Sequence, residues 1–257
     1  MATLALITGA SAGIGFHLAK GLADRGYDIV GVGSSVRIAS LPEQLPHATV
    51  RPVQADLSTR AGVQKVWETI MELGRPLDVA ALNAGMSLGG SFLDTDIDQE
   101  LRMLSLNVTS QVLLAKHVAR HMVANKSGNI LVTSSLSATT PTPFESIYGP
   151  TRAFMYSFAQ GLREELKEHG VNVTALLPGA TATEFHDRAG MQNTAFGDNS
   201  TKNDPRLVAK IGLDGLFAGK DHVVGGDPST KRSALLNKFL PEEFKAHRFA
   251  NWSRPKG

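Results

Sequence analysis

The chain has 257 residues, with 26 Lys and Arg against 24 Asp and Glu, which gives a formal net charge of +2. A balance this close to neutral argues against a dedicated nucleic-acid binder, which usually carries a concentrated basic face. Hydrophobic residues make up 42% of the chain and charged residues 19%, a composition typical of folded proteins. The absence of Cys excludes a disulfide framework, a thiolate metal site and a Cys nucleophile.

The N-terminal apolar run has no basic segment before it and reaches the polar residues Thr8 to Ser11 after a few positions. It is therefore too short for a signal peptide. No stretch approaches the roughly 18 apolar residues that span a bilayer. We expect a cytoplasmic protein with neither membrane nor nucleic acid as partner.

Short runs rich in Leu and β-branched residues alternate with helical patterns, which predicts βαβ units around a parallel sheet. The predicted strands are 3–8, 28–32, 49–54, 78–83, 129–134, 172–177 and 222–224. The predicted helices lie near 13–25, 60–73, 98–124 and 149–169. The fold class is therefore α/β, a Rossmann-type doubly wound parallel sheet of about seven strands with helices on both faces.

No interior linker or repeat is visible, so we predict a single catalytic domain over residues 1–257. Residues 187–204 are rich in Asn, Gly, Thr and Asp, which predicts a long loop. A C-terminal extension at about 227–257 mixes basic and aromatic residues. The sequence leaves open whether this extension packs back on the domain or reaches a neighbouring subunit.

A glycine-rich turn follows the first predicted strand and opens a helix. Its glycines are Gly9, Gly13 and Gly15, and Ser11 and Ile14 lie between them. Such a turn lets the backbone approach a pyrophosphate, and the helix N-terminus offers N–H groups to its charge. The alternative is a purely structural role, in which the glycines permit a tight turn and close packing of the helix on the strand.

The segment from Thr8 to Gly15 resembles the cofactor motif of classical short-chain dehydrogenases/reductases (SDR), and the resemblance extends over residues 3–185. Further matching motifs follow in family order: Asp56 with Leu57, then Asn83, Ala84 and Gly85, then Asn107. The resemblance implies that residues 56–57 and 83–85 bind the cofactor and that Asn107 is a structural and catalytic residue. Each motif also has an ordinary structural interpretation: Asp56 as a helix cap, residues 83–85 as a turn, and Asn107 as an exposed helical residue.

The end of the second strand bears on the choice between NAD and NADP. NAD-specific sites carry an acid there, whereas this chain has Val32-Gly-Ser-Ser-Val-Arg37. Without a carboxylate to repel the 2′-phosphate, Ser34, Ser35 and Arg37 can donate hydrogen bonds to it. We therefore predict NADP as the cofactor, with NAD as the alternative.

Ser135 ends the fifth strand, and Tyr148 follows 13 positions later. The family's catalytic Ser and Tyr have this separation, so the resemblance implies that Tyr148 is the general acid/base and that Ser135 binds the substrate oxygen. The family Lys four residues after the Tyr is Arg152 here. Arg keeps the positive charge but cannot lose its proton, so the two residues are not equivalent.

After the sixth strand, Pro178, Gly179, Thr181 and Thr183 resemble the family segment that orients the nicotinamide, although a plain turn would also suit them. The loop at about 184–204 would then cover the substrate. The histidines are scattered, and His117 and His121, four residues apart, lack a nearby acidic third ligand, so no metal site is predicted.

These features predict an oxidoreductase that interconverts a carbonyl and an alcohol with NADP(H). Two alternatives remain open at this point: a cofactor-binding sensor or scaffold that turns over weakly because of Arg152, and a dehydratase or epimerase on the same fold. The resemblance further implies a homodimer or homotetramer.

Overall fold

All seven predicted strands are present in the computed structural model, which describes residues 3–255. Each observed strand begins and ends within one residue of its prediction: β1 (Leu4–Thr8), β2 (Asp28–Gly33), β3 (Val50–Gln54), β4 (Val79–Leu82), β5 (Gly128–Thr133), β6 (Val171–Pro178) and β7 (His222–Gly225). They form a parallel sheet in the order β3-β2-β1-β4-β5-β6-β7. The order reverses between β1 and β4, the place where ligands bind in Rossmann-type sheets.

The helices surround this sheet. They are α1 (Gly13–Ala23), α2 (Leu41–Gln44), α3 (Arg60–Glu72), α4 (Ile97–Leu104), α5 (Ser110–Ala124), α6 (Tyr148–Leu166), α7 (Phe185–Arg188), α8 (Pro205–Phe217), α9 (Pro228–Leu236) and α10 (Glu242–Ser253). The helix predicted over 98–124 is interrupted by a π-turn at Ser105–Thr109, which separates α4 from α5. Helices α8 to α10 were not predicted, although Asp204 and Asp227 cap the first two and Pro follows each cap.

Two apolar layers enclose the sheet, one on each face. Alternate strand residues such as Leu6 and Val132 pack against α3, α5 and α6, while their neighbours such as Ile7 and Leu131 pack against α1 and α8. Strands buried on both faces read as continuous apolar runs, which is why the sequence predicted them so closely.

The C-terminal extension packs back on its own chain. The Asn237 side chain donates to Thr139 Oγ1 at 2.8 Å, and Ser253 Oγ donates to the Pro143 carbonyl at 2.7 Å. Helix α10 is thereby fixed beside the segment that connects β5 to α6. Over residues 3–255, the helices lack the length and apolar character that crossing a bilayer would require.

Candidate active site

A cavity of about 660 Å³ opens where the carboxyl ends of the strands meet. Its lining comes from the segments that follow β1 to β6 and from the C-terminal helices. These predicted cofactor residues line it: Gly9, Ser11, Gly13, Ile14, Gly15, Ser34, Asp56, Leu57, Asn83, Ala84, Gly85, Pro178, Gly179, Thr181 and Thr183. Ser135, Tyr148 and Arg152 line the same cavity.

The glycine turn is shaped to hold a phosphate group against bare backbone. Gly9 and Gly13 have φ values of +72° and +56°, and a Cβ on Gly15 would lie 2.1 Å from the Gly9 carbonyl oxygen. Ala12 caps α1 without any side-chain hydrogen bond, so the N–H groups of the first turn remain available to a bound anion. This cradle fits the pyrophosphate of a dinucleotide.

Thr8 joins this turn to the loop after β4. Its Oγ1 accepts from the N–H groups of Asn83 and Ala84 at 2.8 and 2.9 Å. The Asn83 side chain donates back to the Thr8 carbonyl at 3.1 Å. Residues 8–15 and 83–85, which the sequence predicted as two separate cofactor motifs, are thus joined by hydrogen bonds, and we call them together the cofactor rim.

At the end of β2, Ser34 lines the cavity, while Ser35 and Arg37 lie outside its lining. Arg37, in the turn at Val36–Ser40 after β2, donates from Nη1 to Glu184 Oε1 at 2.8 Å. Glu184 also pairs with Arg188. An acid from the segment after β6 therefore pairs with the cation that the sequence predicted to bind the cofactor phosphate.

Tyr148, Arg152 and Ser135 are brought together inside the cavity wall, each less than one-tenth exposed. Tyr148 opens α6, and the Arg152 guanidinium lies one turn later, 5.0 Å from the centre of the Tyr148 ring. Arg152 Nη1 donates to the Thr133 carbonyl at 3.2 Å. The positive charge is therefore fixed beside the phenol.

Burial raises the pKa of the Tyr148 phenol above its ordinary value. The Arg152 charge and a hydrogen bond with Ser135 pull this pKa back down, while the nearby Glu145 carboxyl pushes it up. A phenol that must release a proton near neutral pH depends on such a cation. Arg152 supplies that charge despite the departure from Lys.

Asn107 is fully buried and outside the cavity lining. The π-turn directs its side chain at the loop after β4, where it accepts from the Met86 N–H at 2.9 Å and donates to the Met86 carbonyl at 2.8 Å. It also donates to Thr151 Oγ1 at 3.1 Å. Asn107 thus ties the cofactor rim to the residue next to Arg152, and π-turns are frequent at functional sites.

Three buried polar atoms of residues that line this cavity have no hydrogen-bond partner within residues 3–255. They are Arg152 Nε, Thr133 Oγ1 and His186 Nδ1. Unsatisfied buried donors are costly, so they mark places where a bound polar group is expected. The ribose next to the nicotinamide and the carboxamide of the nicotinamide ring are polar groups of the kind that these atoms could bind.

The segment after β6 is held in place by its own polar groups. Thr181 Oγ1 donates to the Gly179 carbonyl at 2.8 Å, and the Asn203 side chain donates to the Ala180 carbonyl at 2.9 Å. Thr183 packs against the glycine turn, since a Cβ on Gly13 would lie 3.0 Å from its methyl group. The predicted nicotinamide-orienting segment therefore contacts the predicted phosphate-binding turn.

Sequence reasoning missed Glu145. This carboxyl is only 3% exposed and lines the cavity one turn before Tyr148. Its Oε1 accepts from Ser87 Oγ at 2.6 Å. Burial raises the pKa of Glu145 to about 7, and the Arg152 charge opposes the rise. Its place three residues before the motif Tyr was the only signal in the sequence.

An aromatic wall faces the Tyr148 end of the cavity. Phe185 lies 5.6 Å from the Tyr148 ring, and Phe196 stacks on His186 at 5.2 Å. Phe196 also contacts Phe249 and Trp252 of α10, at 5.6 and 6.1 Å. Burial lowers the pKa of His186 to about 4, so the wall is uncharged at neutral pH.

Fold and site together define a dinucleotide-binding oxidoreductase. A family model described as short chain dehydrogenase matches residues 3–194. The chain belongs to the short-chain dehydrogenase/reductase family, and the predicted family and fold are confirmed.

Curated relatives agree with this assignment. An uncharacterized oxidoreductase, YmfI of Bacillus subtilis, is 34% identical over 186 residues, which cover 70% of this chain and 76% of the relative. A probable NADP-dependent dehydrogenase of Haemophilus influenzae is 31% identical, over 71% of this chain and 73% of its own length.

Solved structures show the same architecture over nearly the whole chain. A short-chain dehydrogenase from Sphingobium yanoikuyae in complex with NADPH is 32% identical with a TM-score of 0.82, and 92% of each chain is covered. The bulky-bulky ketone specific alcohol dehydrogenase from Comamonas testosteroni is 27% identical with a TM-score of 0.78, over 96% of this chain and 98% of that one.

Proposed function

We propose that this protein is an NADP(H)-dependent oxidoreductase that interconverts a carbonyl compound and an alcohol. The observation that carries the proposal is the fixed position of the Arg152 guanidinium beside the Tyr148 phenol, in the same cavity as Ser135 and the glycine turn. Relatives described as NADP-dependent or solved with NADPH support the choice of cofactor. NAD(H) is the alternative cofactor.

The chain's own residues would divide the chemistry between them. When bound, the nicotinamide supplies the hydride for reduction of the carbonyl carbon. Tyr148 donates its phenolic proton to the substrate oxygen, and Ser135 donates a hydrogen bond to the same atom. Arg152 stabilises the phenolate by its charge and offers its free Nε–H to the nicotinamide ribose. Asn107 acts as a positioning residue through Met86 and Thr151.

The aromatic wall favours a bulky apolar carbonyl substrate. Phe185, Phe196, Phe249 and Trp252 offer ring faces beside Tyr148, and His186 among them carries no charge at neutral pH. Buried aromatic surface contributes binding energy through area and ring contacts. The description of the Comamonas testosteroni enzyme as bulky-bulky ketone specific supports this substrate class.

We further propose that residues 184–204 and the C-terminal extension at 227–257 are the substrate-covering parts of one catalytic domain. A homodimer or homotetramer is proposed as the assembly, because α4 exposes Ile97, Leu101 and Leu104 along one face. Light scattering after size exclusion tests the assembly, and a monomer at micromolar concentration contradicts it. The cytoplasmic location stays a prediction.

The deciding experiment follows consumption of NADPH and NADH by the purified protein with aldehydes, bulky aryl ketones and ketosteroids. We expect reduction with NADPH, and a loss of about a thousandfold in Tyr148→Phe, which removes the proton donor but keeps the ring. Tyr156→Phe, a partly buried Tyr outside the cavity lining, is the matched control. Equal activity of Tyr148→Phe and the parent would contradict the proposal.

Nothing in the comparisons supports the sensor or scaffold alternative. Arg152→Lys tests it directly, because this change restores the family residue. If Arg152 is adapted to this site, the variant turns over more slowly than the parent. An inactive parent together with an active Arg152→Lys would instead favour a cofactor-binding protein with a degenerate site.

A further inference from the structure

Arg152 cannot supply a proton to Tyr148. A guanidinium stays protonated at every pH the fold survives, whereas a lysine ammonium can give up a proton. Each reduction would consume the Tyr148 proton, so another group has to restore it. That group must be titratable and must share the cavity with Tyr148.

Glu145 meets both conditions by its position. It lies three residues before Tyr148, the first residue of α6, and its carbonyl accepts from the Gly149 N–H at 3.3 Å, so Glu145 precedes the helix by one turn. Both line the cavity, and the Glu145 carboxyl raises the pKa of the Tyr148 phenol. Phe144, directly before Glu145, has a φ of +63°, which costs backbone energy that an ordinary loop would avoid.

We propose that Glu145 is the proton donor that recharges Tyr148 during carbonyl reduction, in the place of the lysine that this chain lacks. The proposal rests on the proposed function, because it concerns the same reduction. Glu145 acts through Tyr148 and does not contact the substrate in this scheme.

The carbonyl carbon gains a hydride from the reduced cofactor, and the carbonyl oxygen gains the Tyr148 proton. The phenolate so formed takes a proton from the Glu145 carboxylic acid through water in the cavity. The Glu145 carboxylate then takes a proton from bulk solvent, so one NADPH and one proton are consumed for each alcohol formed.

The acidities support this direction of transfer. The pKa of Glu145 is about 7, and that of Tyr148 lies above its ordinary value because of burial. A proton therefore passes downhill from the carboxyl to the phenolate. Arg152 is the charged group that faces Glu145, and Ser87 holds its Oε1 with a hydrogen bond.

The test compares Glu145→Gln with the parent in NADPH-dependent reduction across pH. Gln has the same shape and still accepts from Ser87, but it holds no transferable proton. We expect kcat to fall by about ten- to a hundredfold with little change in KM. The parent kcat should decline above about pH 7, and this decline should vanish in the variant. Glu145→Asp, which keeps a carboxyl, should recover part of the rate.

Glu100→Gln is the matched control. Glu100 is also buried, at 6% exposed, and accepts a hydrogen bond from Thr95 at 2.6 Å, but it lies outside the cavity lining. We expect it to leave kcat and the pH profile unchanged. Infrared spectra of the protein without cofactor provide a readout independent of turnover, since a carboxylic acid band that titrates near pH 7 should disappear in Glu145→Gln alone.

Parent-like kcat and pH profile in Glu145→Gln, or a decline that persists in it, would overturn the inference. So would an infrared band near pH 7 that survives the substitution. Tyr148→Phe in the same assay separates the two proposals: if Tyr148→Phe is inactive and Glu145→Gln is normal, the proposed function stands and the relay fails. If Tyr148→Phe is as active as the parent, the proposed function itself fails.

Discussion

The position of Arg152 depends on the absence of a side chain at Gly85. A Cβ on Gly85 would lie 2.1 Å from Arg152 Nη2 and 3.0 Å from Arg152 Cζ. The guanidinium could not keep its present position beside such a side chain. The guanidinium is larger than an ammonium and enters this site only because the neighbouring backbone is bare. Gly85 therefore has a steric role beside Arg152 in addition to its place in the cofactor rim.

We expect Gly85→Ala to displace the guanidinium and to lower kcat by at least about tenfold, because the Tyr148 phenolate loses its cation. Steady-state kinetics measure this loss. Gly161→Ala, in the middle of α6 with no heavy atom within 4 Å of the added Cβ, is the control and should raise thermal stability slightly. Equal kcat in Gly85→Ala and the parent would contradict the steric role.

Ser34 lies directly after β2, where it lines the cavity and has no acidic neighbour in the sequence. We expect Ser34→Asp to lower kcat/KM with NADPH at least about tenfold relative to NADH, because the carboxylate repels the 2′-phosphate and accepts from the ribose hydroxyl. Ser127→Asp adds the same charge at an exposed site between α5 and β5. An unchanged cofactor ratio in Ser34→Asp would refute the prediction.

At the scale of residues, the family motifs made most of the candidate site predictable from the sequence. Tyr148, Ser135 and the glycine turn follow from fixed spacings after strands, and the structure brings them to one cavity. Glu145 was not predictable, because its raised pKa comes from burial, and its contact with Ser87 and the left-handed backbone of Phe144 appear only in the folded chain. The Arg37–Glu184 ion pair was missed because it joins positions 147 residues apart.

At the scale of elements, Phe196 connects residues 184–204, the loop predicted to cover the substrate, to α10. It is the ring that touches His186, Phe249 and Trp252 together. Neighbouring aromatic pairs each contribute about 0.5–1.5 kcal/mol beyond their buried area. Removing this ring should loosen the wall without touching Tyr148.

We therefore expect Phe196→Ala to raise KM for bulky aryl ketones about three- to tenfold while kcat changes little. Phe239→Ala, with a side chain 79% exposed, is the control. A fall in kcat at constant KM would show that Phe196 acts on the chemical step instead.

The strands were predictable to one residue because apolar runs bounded by polar turns mark them, whereas other elements depend on contacts that no local pattern carries. The π-turn at Ser105–Thr109 has the same residue types as the helices around it, and it forms where Asn107 bonds to Met86. Helices α9 and α10 carry weak amphipathic patterns, and side-chain hydrogen bonds to residues 139 and 143 hold this segment on the chain.

At the scale of the whole molecule, two buried titratable groups make stability depend on pH in opposite directions. Glu145 binds a proton more tightly in the native state, so its contribution to the free energy of unfolding falls as pH rises from 4.5 to about 7. His186 binds a proton less tightly in the native state, so its contribution is lost as pH falls from 6.5 to about 4.

Denaturant titrations of the parent and of Glu145→Gln at about pH 5 and about pH 8 measure the contribution of Glu145 to the free energy of unfolding. The shift of Glu145 from 4.5 to about 7 corresponds to about 3 kcal/mol lost by the parent over this range and retained by the variant. Glu100→Gln should follow the parent. Parallel pH dependence in Glu145→Gln and the parent would contradict the raised pKa.

The position of β1 between β2 and β4, inside the sheet, has a consequence during protein synthesis. Ala5 pairs with Ile29 of β2 on one side and with Val79 of β4 on the other. One edge of β1 therefore stays unpaired until β4, which lies more than seventy residues further along the chain, has been synthesised. Until β4 leaves the ribosome, the nascent chain carries an apolar strand with an open edge, which invites pairing with other chains. Stable folding of the phosphate-binding half is therefore expected only after β4 has been synthesised.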